Sequence, residues 1–153
     1  MGRVLGGVVK VVPRGASSQE VADSGVLKMK FHHIGIACKD MNESIRQIQE
    51  IYQVLSVSDI VFDQDQKANL CFLKTGNGID IELIAGDQVK GILEKGIEYY
   101  HVCYEVSNIR ENIDSLSKKG AFVVSEPKPA KLFDKRKVAF LYTGTGLIEL
   151  LEE

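Results

Sequence analysis

Two histidines and two glutamates stand at matching places in an internal repeat. The stretch that begins at His33 returns 68 residues later at His101. A second match at nearly the same offset places Ile81-Glu82-Leu83 over Ile148-Glu149-Leu150. Each half therefore opens with a histidine and closes with a glutamate. Because a repeat fixes the architecture of a chain, this pattern predicts that the four side chains meet in one site.

Two imidazoles and two carboxylates make a ligand set that suits one divalent ion of Zn, Ni, Co, Mn or Fe. Four protein ligands leave two positions of an octahedron for a substrate with two adjacent oxygens. Such an ion acts as a Lewis acid that holds the negative charge of an enediolate. The proton next to the carbonyl then becomes removable. A single histidine on a strand is more often a core residue, but burying two unpaired acids would be costly, which favours a metal site.

Three glutamates are candidates for the base that moves this proton, and each lies in a predicted strand. Glu149 or Glu82 could leave the metal and act as the base. Glu105 lies two residues after His101 on the same predicted face. It is equally suited to be a structural hydrogen-bond acceptor. Asp80 is a weaker candidate, and the sequence leaves the choice open.

Alternating and helical patterns predict the elements that position these residues. Asp40 with Glu43, and Asn108 with Glu111, have the spacing of helix-capping pairs. The first helix should bury a stripe of Met41, Ile45, Ile48, Tyr52 and Leu55. Strands are predicted over residues 30–38, 57–62, 68–75, 79–85, 100–106, 121–125, 137–143 and 147–151, with a linking helix over 87–95 and a Pro/Lys-rich loop over 126–136.

Strict alternation along the first strand gives His33, Gly35 and Ala37 one face. The small residues leave room over that face beside the histidine. The same alternation sends His32 to the opposite face, so we expect that His32 is not a ligand.

Bulk properties set the class of protein. The chain has 153 residues and a net charge of −2, which gives no general case for nucleic-acid binding. No apolar run approaches the ~20 residues of a membrane helix, so no membrane contact is expected. Its three cysteines show no paired spacing, which favours a reducing compartment and burial as small apolar residues. We therefore expect a cytoplasmic protein.

The repeat defines two modules, and the domain boundaries follow from them. Residues 1–28 are predicted to be an N-terminal extension, either non-native or flexible, with a strand-forming arm as the alternative. Residues 29–153 should form a single domain from modules 30–86 and 99–153. The predicted fold class is α+β, with two tandem β-α-β-β-β modules in a curved, half-open mixed sheet and helices on the outside.

These modules resemble the vicinal oxygen chelate superfamily, which includes glyoxalase I, methylmalonyl-CoA epimerase, extradiol dioxygenases and bleomycin resistance proteins. The resemblance covers residues 30–152 and is nearest to the epimerase and glyoxalase I branch. It is carried by four segments: His33-Ile34-Gly35-Ile36-Ala37, Ile81-Glu82-Leu83, His101-Val102-Cys103-Tyr104-Glu105-Val106 and Leu147-Ile148-Glu149-Leu150.

The resemblance implies that the metal ligands are His33, Glu82, His101 and Glu149. It also implies that Lys128, in a loop similar to one of the epimerase-like members, contacts substrate. The substrate would be a small molecule, either an acyl-CoA or a glutathione thiohemiacetal, and the protein would be a homodimer. One departure weakens the usual two-base epimerase scheme, because no acid stands in the strand at residues 68–73.

The function expected on this basis is that of a metal-dependent isomerase, epimerase or lyase that transfers a proton next to a carbonyl. One alternative is a ring-cleaving Fe(II) dioxygenase, although a fourth protein ligand would take a position that oxygen needs. The other is a drug-binding resistance protein of the same fold, although such proteins generally lack the metal ligands.

Overall fold

The computed structural model describes residues 27–153, and the predicted extension at 1–28 lies outside these residues except for its last two positions. In chain order the described elements are β1 (Lys30–Ala37), α1 (Met41–Ile51), β2 (Val54–Val57), β3 (Val61–Asp63), β4 (Ala68–Thr75), β5 (Asp80–Gly86), α2 (Asp87–Glu94), β6 (Tyr99–Val106), α3 (Ile109–Lys118), β7 (Phe122–Pro129), a 3-10 helix (Lys131–Phe133), β8 (Lys137–Thr143) and β9 (Gly146–Glu152).

All these strands join one mixed sheet in the order β2-β4-β5-β1-β6-β9-β8-β7, with β3 also paired to β4. Within each module the first and last strands run parallel, as β1 with β5 and β6 with β9. The modules meet through the antiparallel pair of β1 and β6. The predicted fold class, an α+β protein with a curled and open mixed sheet, is confirmed.

Helices α1 and α3 pack on equivalent parts of the outer face of the sheet. Both begin as the sequence predicts, because Asp40 and Asn108 accept hydrogen bonds from the backbone N–H groups of Glu43 and Glu111. Helix α1 buries Met41 and Ile48, and α3 buries Ile109 and Ile113, with further apolar partners from the strands. Each module thus has its own apolar layer outside the sheet.

The inner face, which carries His33, Glu82, His101 and Glu149, is covered differently. Helix α2 packs Val89 against Ala37, Leu70 and Ile84, which point to this face by alternation. The linking helix therefore lies inside, whereas the two capped helices lie outside as predicted. The 3-10 helix covers another part of this face, with Phe133 packed near Cys103, Val138 and Leu151.

The prediction of one strand over residues 57–62 is wrong. Val57 pairs with Leu73, whereas Val61 pairs with Leu70. Residues 58–60, between β2 and β3, therefore lie opposite only two residues of β4. The extra residue interrupts the ladder as a β-bulge does. The hydroxyl of Ser58 accepts a hydrogen bond from the backbone N–H of Phe72 at this break.

The predicted loop over residues 126–136 is also partly wrong, because β7 continues to Pro129. Within residues 27–153, β7 lies at the end of the sheet and pairs only with β8. An edge strand needs no outward N–H groups, so it tolerates Pro127 and Pro129. The predicted stripe of α1 is too long as well, because the helix ends at Ile51 and leaves the Leu55 side chain 58 % exposed.

Two further findings bear on the bulk predictions. Cys38, Cys71 and Cys103 are all free and buried, as expected of small apolar residues. Among the helices of residues 27–153, none combines the length and the apolar character that a membrane crossing requires.

Candidate metal centre

The four repeat-matched side chains come together on adjacent strands. His33 lies on β1, Glu82 on β5, His101 on β6 and Glu149 on β9. Their exposed fractions are 0 %, 2 %, 4 % and 1 %. Each module contributes one imidazole from its first strand and one carboxylate from its last. The central pair β1 and β6 thus carries both histidines, and the glutamates flank them.

The donor atoms form a compact set. The Nε2 atom of His33 lies 3.2 Å from an oxygen of Glu82 and 3.2 Å from an oxygen of Glu149. The Nε2 atom of His101 lies 3.2 Å and 3.0 Å from the same two oxygens. The two nitrogens are 3.3 Å apart. Ligands at right angles around an ion with bonds of about 2.1 Å are separated by roughly 3.0 Å, so the set fits a single ion.

The carboxylate of Glu149 adds a second indication of a metal site. Its Oε2 atom lies 3.0 Å and 3.2 Å from the Nε2 atoms of His101 and His33, yet within the described residues neither contact has the geometry of a hydrogen bond. A buried acceptor without a partner is rare and calls for an explanation. A cation held by the four side chains would supply that partner, so these residues fit the metal ion that the sequence predicts.

Gly35 provides the space for one of the four candidate ligands. Gly35 and His101 are paired across β1 and β6. A Cβ atom added at Gly35 would lie 2.2 Å from the Cε1 atom of the His101 ring. The imidazole therefore occupies the volume that any other residue at position 35 would fill.

The charges of the cluster stabilise one another. Burial alone would lower the pKa of His101, but the Glu149 and Glu82 carboxylates outweigh it and raise this pKa to about 9. The pKa of His33 is also raised, because the effect of the two carboxylates again outweighs the effect of burial. Burial would raise the pKa of Glu149, yet the two histidines hold it well below its usual range. Metal-free protein therefore holds protons where an ion would bind.

His32 does not point to the opposite face, and the prediction from strict alternation is wrong. Phe31 pairs with Tyr104 and His33 with Cys103, so a bulge leaves His32 without a partner in the ladder. The alternation shifts at a bulge. The Nδ1 atoms of His32 and His33 are 2.8 Å apart. Burial, followed by the charge of His33, lowers the pKa of His32.

Glu105 lies on the inner side of β6 but is engaged by cations. One of its oxygens accepts a hydrogen bond of 2.5 Å from the Arg136 guanidinium, and Lys30 lies 4.0 Å away. The Arg136 contact holds the pKa of Glu105 below its ordinary value. This arrangement favours the structural alternative over the role of base.

Lys128 lies near the end of β7 and not in a loop. It lines a cavity of about 110 Å³ together with Tyr100 and Phe140. The rings of Tyr100 and Phe140 contact His101, with ring centres 5.2 Å and 5.3 Å away. Two aromatic residues thus separate the cavity from the four-residue cluster, and none of the four residues lines the cavity itself. Lys128 lies 3.9 Å from Asp65.

Aromatic rings close the cluster on the other side. Phe133 stacks on His33 with ring centres 5.4 Å apart, and Phe72 contacts His33 edge-on. Phe72 pairs with Glu82 across β4 and β5, so β4 presents an aromatic ring to the cluster. The sequence alone does not reveal that Phe133 and His32 lie at the cluster, because Phe133 belongs to a short 3-10 helix and His32 is displaced by a bulge.

Comparisons with known proteins agree with this fold. A family model of the glyoxalase, bleomycin resistance protein and dioxygenase superfamily matches residues 32–140. The chain belongs to this superfamily, as its sequence motifs predicted. No curated protein matches the chain in sequence.

Solved structures with the same fold include a hypothetical protein from Bacillus halodurans, at 25 % identity and a TM-score of 0.66, covering 82 % of this chain and 94 % of that one. A methylmalonyl-CoA epimerase from Mycobacterium tuberculosis matches at 22 % identity and a TM-score of 0.69, covering 80 % of this chain and 87 % of the epimerase. A Streptomyces coelicolor epimerase variant in complex with 2-nitronate-propionyl-CoA matches at 17 % identity and a TM-score of 0.62, with 81 % and 96 % covered. These last two identities establish a shared fold alone.

Proposed function

We propose that this protein is a metal-dependent isomerase or epimerase, or a lyase of the same chemistry, that transfers a proton next to a carbonyl. The observation that carries the proposal is the buried cluster of His33, Glu82, His101 and Glu149, whose donor atoms are 3.0–3.3 Å apart. The structural likeness to methylmalonyl-CoA epimerases supports an acyl-CoA thioester as substrate.

The four side chains would hold one divalent ion, of Zn, Ni, Co, Mn or Fe. When bound, this ion supplies the Lewis acidity that stabilises negative charge on the substrate oxygens. The protein contributes rigidity, because each ligand projects from a strand in the middle of the sheet. It also excludes water, since all four residues are buried. A low-dielectric surrounding strengthens electrostatic stabilisation of the developing charge.

Glu82 and Glu149 are the proposed proton carriers. They come from β5 and β9, which lie on opposite sides of the central strand pair. Each carboxylate can therefore approach a substrate from its own side, and proton removal and return at opposite faces would invert a carbon centre. Glu105 is the less suited candidate, because Arg136 already holds its carboxylate as an ion pair.

The cavity beside His101 is the proposed place for the reacting end of the substrate. At about 110 Å³ it is smaller than the ~300–1,000 Å³ of pockets for drug-sized ligands. A short acyl group suits this volume, whereas a long thioester tail would extend past Lys128 at the exposed end. The ammonium of Lys128 would then contact the anionic part of the tail, in competition with Asp65.

Solvent deuterium exchange tests this proposal. Protein loaded with each candidate metal is mixed with methylmalonyl-CoA in heavy water, and NMR follows loss of the proton next to the carbonyl. We expect metal-dependent exchange that Glu149→Gln and Glu82→Gln reduce by about 100-fold or more. A hemithioacetal of glutathione tests the lyase form in parallel. Metal-loaded protein that exchanges neither substrate would contradict the proposal.

A further inference from the structure

The bulge in β1 places a second histidine beside a proposed metal ligand. His32 and His33 are consecutive, yet their Nδ1 atoms lie 2.8 Å apart, which is within hydrogen-bond distance. Two aromatic rings hold the His32 imidazole in this position. Phe72 lies 5.8 Å from it and Phe133 lies 5.6 Å from it, centre to centre.

The donor and the acceptor of this hydrogen bond are defined once a metal is bound. The Nε2 atom of His33 faces Glu82, Glu149 and His101. For that nitrogen to offer a lone pair to a metal, the ring proton of His33 must sit on Nδ1. The Nδ1–H group then needs an acceptor, and the Nδ1 atom of His32 is the partner that the structure places there.

We propose that His32 is a positioning residue that accepts the Nδ1–H hydrogen bond of His33 and so fixes the tautomer and the ring orientation of this ligand. The inference rests on the proposed metal site. Partners of this kind commonly change metal affinity by about 10- to 100-fold, although they do not touch the ion.

The second module lacks an equivalent contact. Tyr100 stands before His101 as His32 stands before His33. The Tyr100 hydroxyl accepts a hydrogen bond from Gln88 instead. Within the described residues the Nδ1 atom of His101 has no hydrogen-bond partner. The orienting contact is thus specific to the ligand of the first module.

Three variants at two positions test this role. His32→Phe keeps a planar ring and removes the acceptor. His32→Asn keeps an acceptor, because the amide oxygen occupies the same place along the side chain as the Nδ1 atom. Tyr100→Phe is the matched control in the second module. Each protein is titrated with Zn²⁺ against a competing chelator, and thermal unfolding of the metal-free protein reports on folding.

We expect His32→Phe to weaken Zn²⁺ binding by about 10- to 100-fold and His32→Asn to restore most of the affinity. Tyr100→Phe should bind as the wild type does. Proton NMR of the Zn²⁺-loaded protein provides the spectroscopic signature. The Nδ1–H signal of His33 should be protected from exchange in wild type and in His32→Asn, and should exchange rapidly in His32→Phe.

Equal Zn²⁺ affinity and an equally protected signal in His32→Phe would overturn the role of His32 and leave the proposed function intact. A wild type that binds no metal ion would overturn both. The thiol of Cys103 lies with His32 and His33 in a second group of donor atoms. Binding of a second Zn²⁺ that is lost in both His32→Phe and Cys103→Ser would show that His32 is itself a ligand, which would also overturn the proposal.

Discussion

The two modules supply the same pair of proposed metal ligands, one histidine and one glutamate, but surround them with different neighbours. In the first module His33 contacts His32 and stacks on Phe133. In the second, the His101 ring lies over Gly35 with Tyr100 and Phe140 beside it. The two halves of the repeat are therefore alike at the four clustered residues and differ in the residues around them. Ligand identity and ligand support are separate properties of this site.

The pairing of β1 with β6 explains part of this divergence. His33 is paired with Cys103, and Gly35 is paired with His101. The His33 imidazole therefore lies near Cys103, two residues after His101. The His101 imidazole lies near Gly35, two residues after His33. One of these residues has no side chain and the other has a small one, so both leave space for a ring.

The first prediction removes one proposed ligand from each module. His33→Ala and His101→Ala should both abolish stoichiometric metal binding, because the four donors form one compact set. Isothermal titration with Zn²⁺ measures this, and Glu111→Gln on the exposed surface of α3 is the control. A variant that still binds one ion with wild-type affinity would show that its module does not contribute.

The second prediction compares the two small residues between the ligands. Gly35→Ala should move the His101 ring, weaken metal binding by more than about 10-fold, and destabilise the fold by about 1–3 kcal/mol through overpacking. Cys103→Ala removes only a thiol and should change metal binding far less. Zn²⁺ titration and urea unfolding measure the two effects. An unaltered Gly35→Ala protein would contradict the described position of His101.

The third prediction concerns the protons that the metal-free site holds. The pKa of His101 is raised from 6.5 to about 9, so the stabilisation from its carboxylate contacts is complete below pH 6.5 and is lost as pH rises through 9. The lowered pKa of Glu149 adds stabilisation that is present above its ordinary value of 4.5 and is lost in acid. The thermal midpoint of metal-free protein should therefore fall between pH 6.5 and 9.

His101→Gln should flatten this alkaline fall, and Glu111→Gln should leave it unchanged. Scanning calorimetry of chelator-treated protein across this range provides the measurement. A midpoint that stays constant or rises would contradict the assigned protonation.

The smallest expected effect lies at the rim of the cavity. Lys128 is exposed and already close to Asp65, so it can contribute only about 1 kcal/mol to substrate binding. Lys128→Ala should raise KM for an acyl-CoA by up to about fivefold and leave kcat nearly unchanged. Lys118→Ala, on the exposed end of α3, is the matched control. Equal KM values for the two variants would show that Lys128 does not contribute to substrate binding.

Much of the fold could be predicted from the sequence because its signals are local. The caps at Asp40 and Asn108 depend on residues three positions away. The four clustered side chains could be identified because they stand at matching positions of the internal repeat. Finding these positions requires no knowledge of the residues around them in the fold. Each then falls on the inner face through ordinary strand alternation.

What could not be predicted depends on pairing between distant strands. The place of His32 follows from a bulge against β6, which the first strand alone does not reveal. Pro127 and Pro129 stand in a strand because β7 is at the edge of the sheet. The placement of Phe133 over His33 depends on the path of an irregular segment, for which the sequence carries no periodic signal.

The central claim is that two modules build one metal centre from four side chains. Anomalous diffraction from crystals of Zn²⁺-loaded protein tests it most directly. We expect one ion per chain, at about 2.0–2.2 Å from the Nε2 atoms of His33 and His101 and from oxygens of Glu82 and Glu149. An ion bound elsewhere, or ligated by one module alone, would contradict the account.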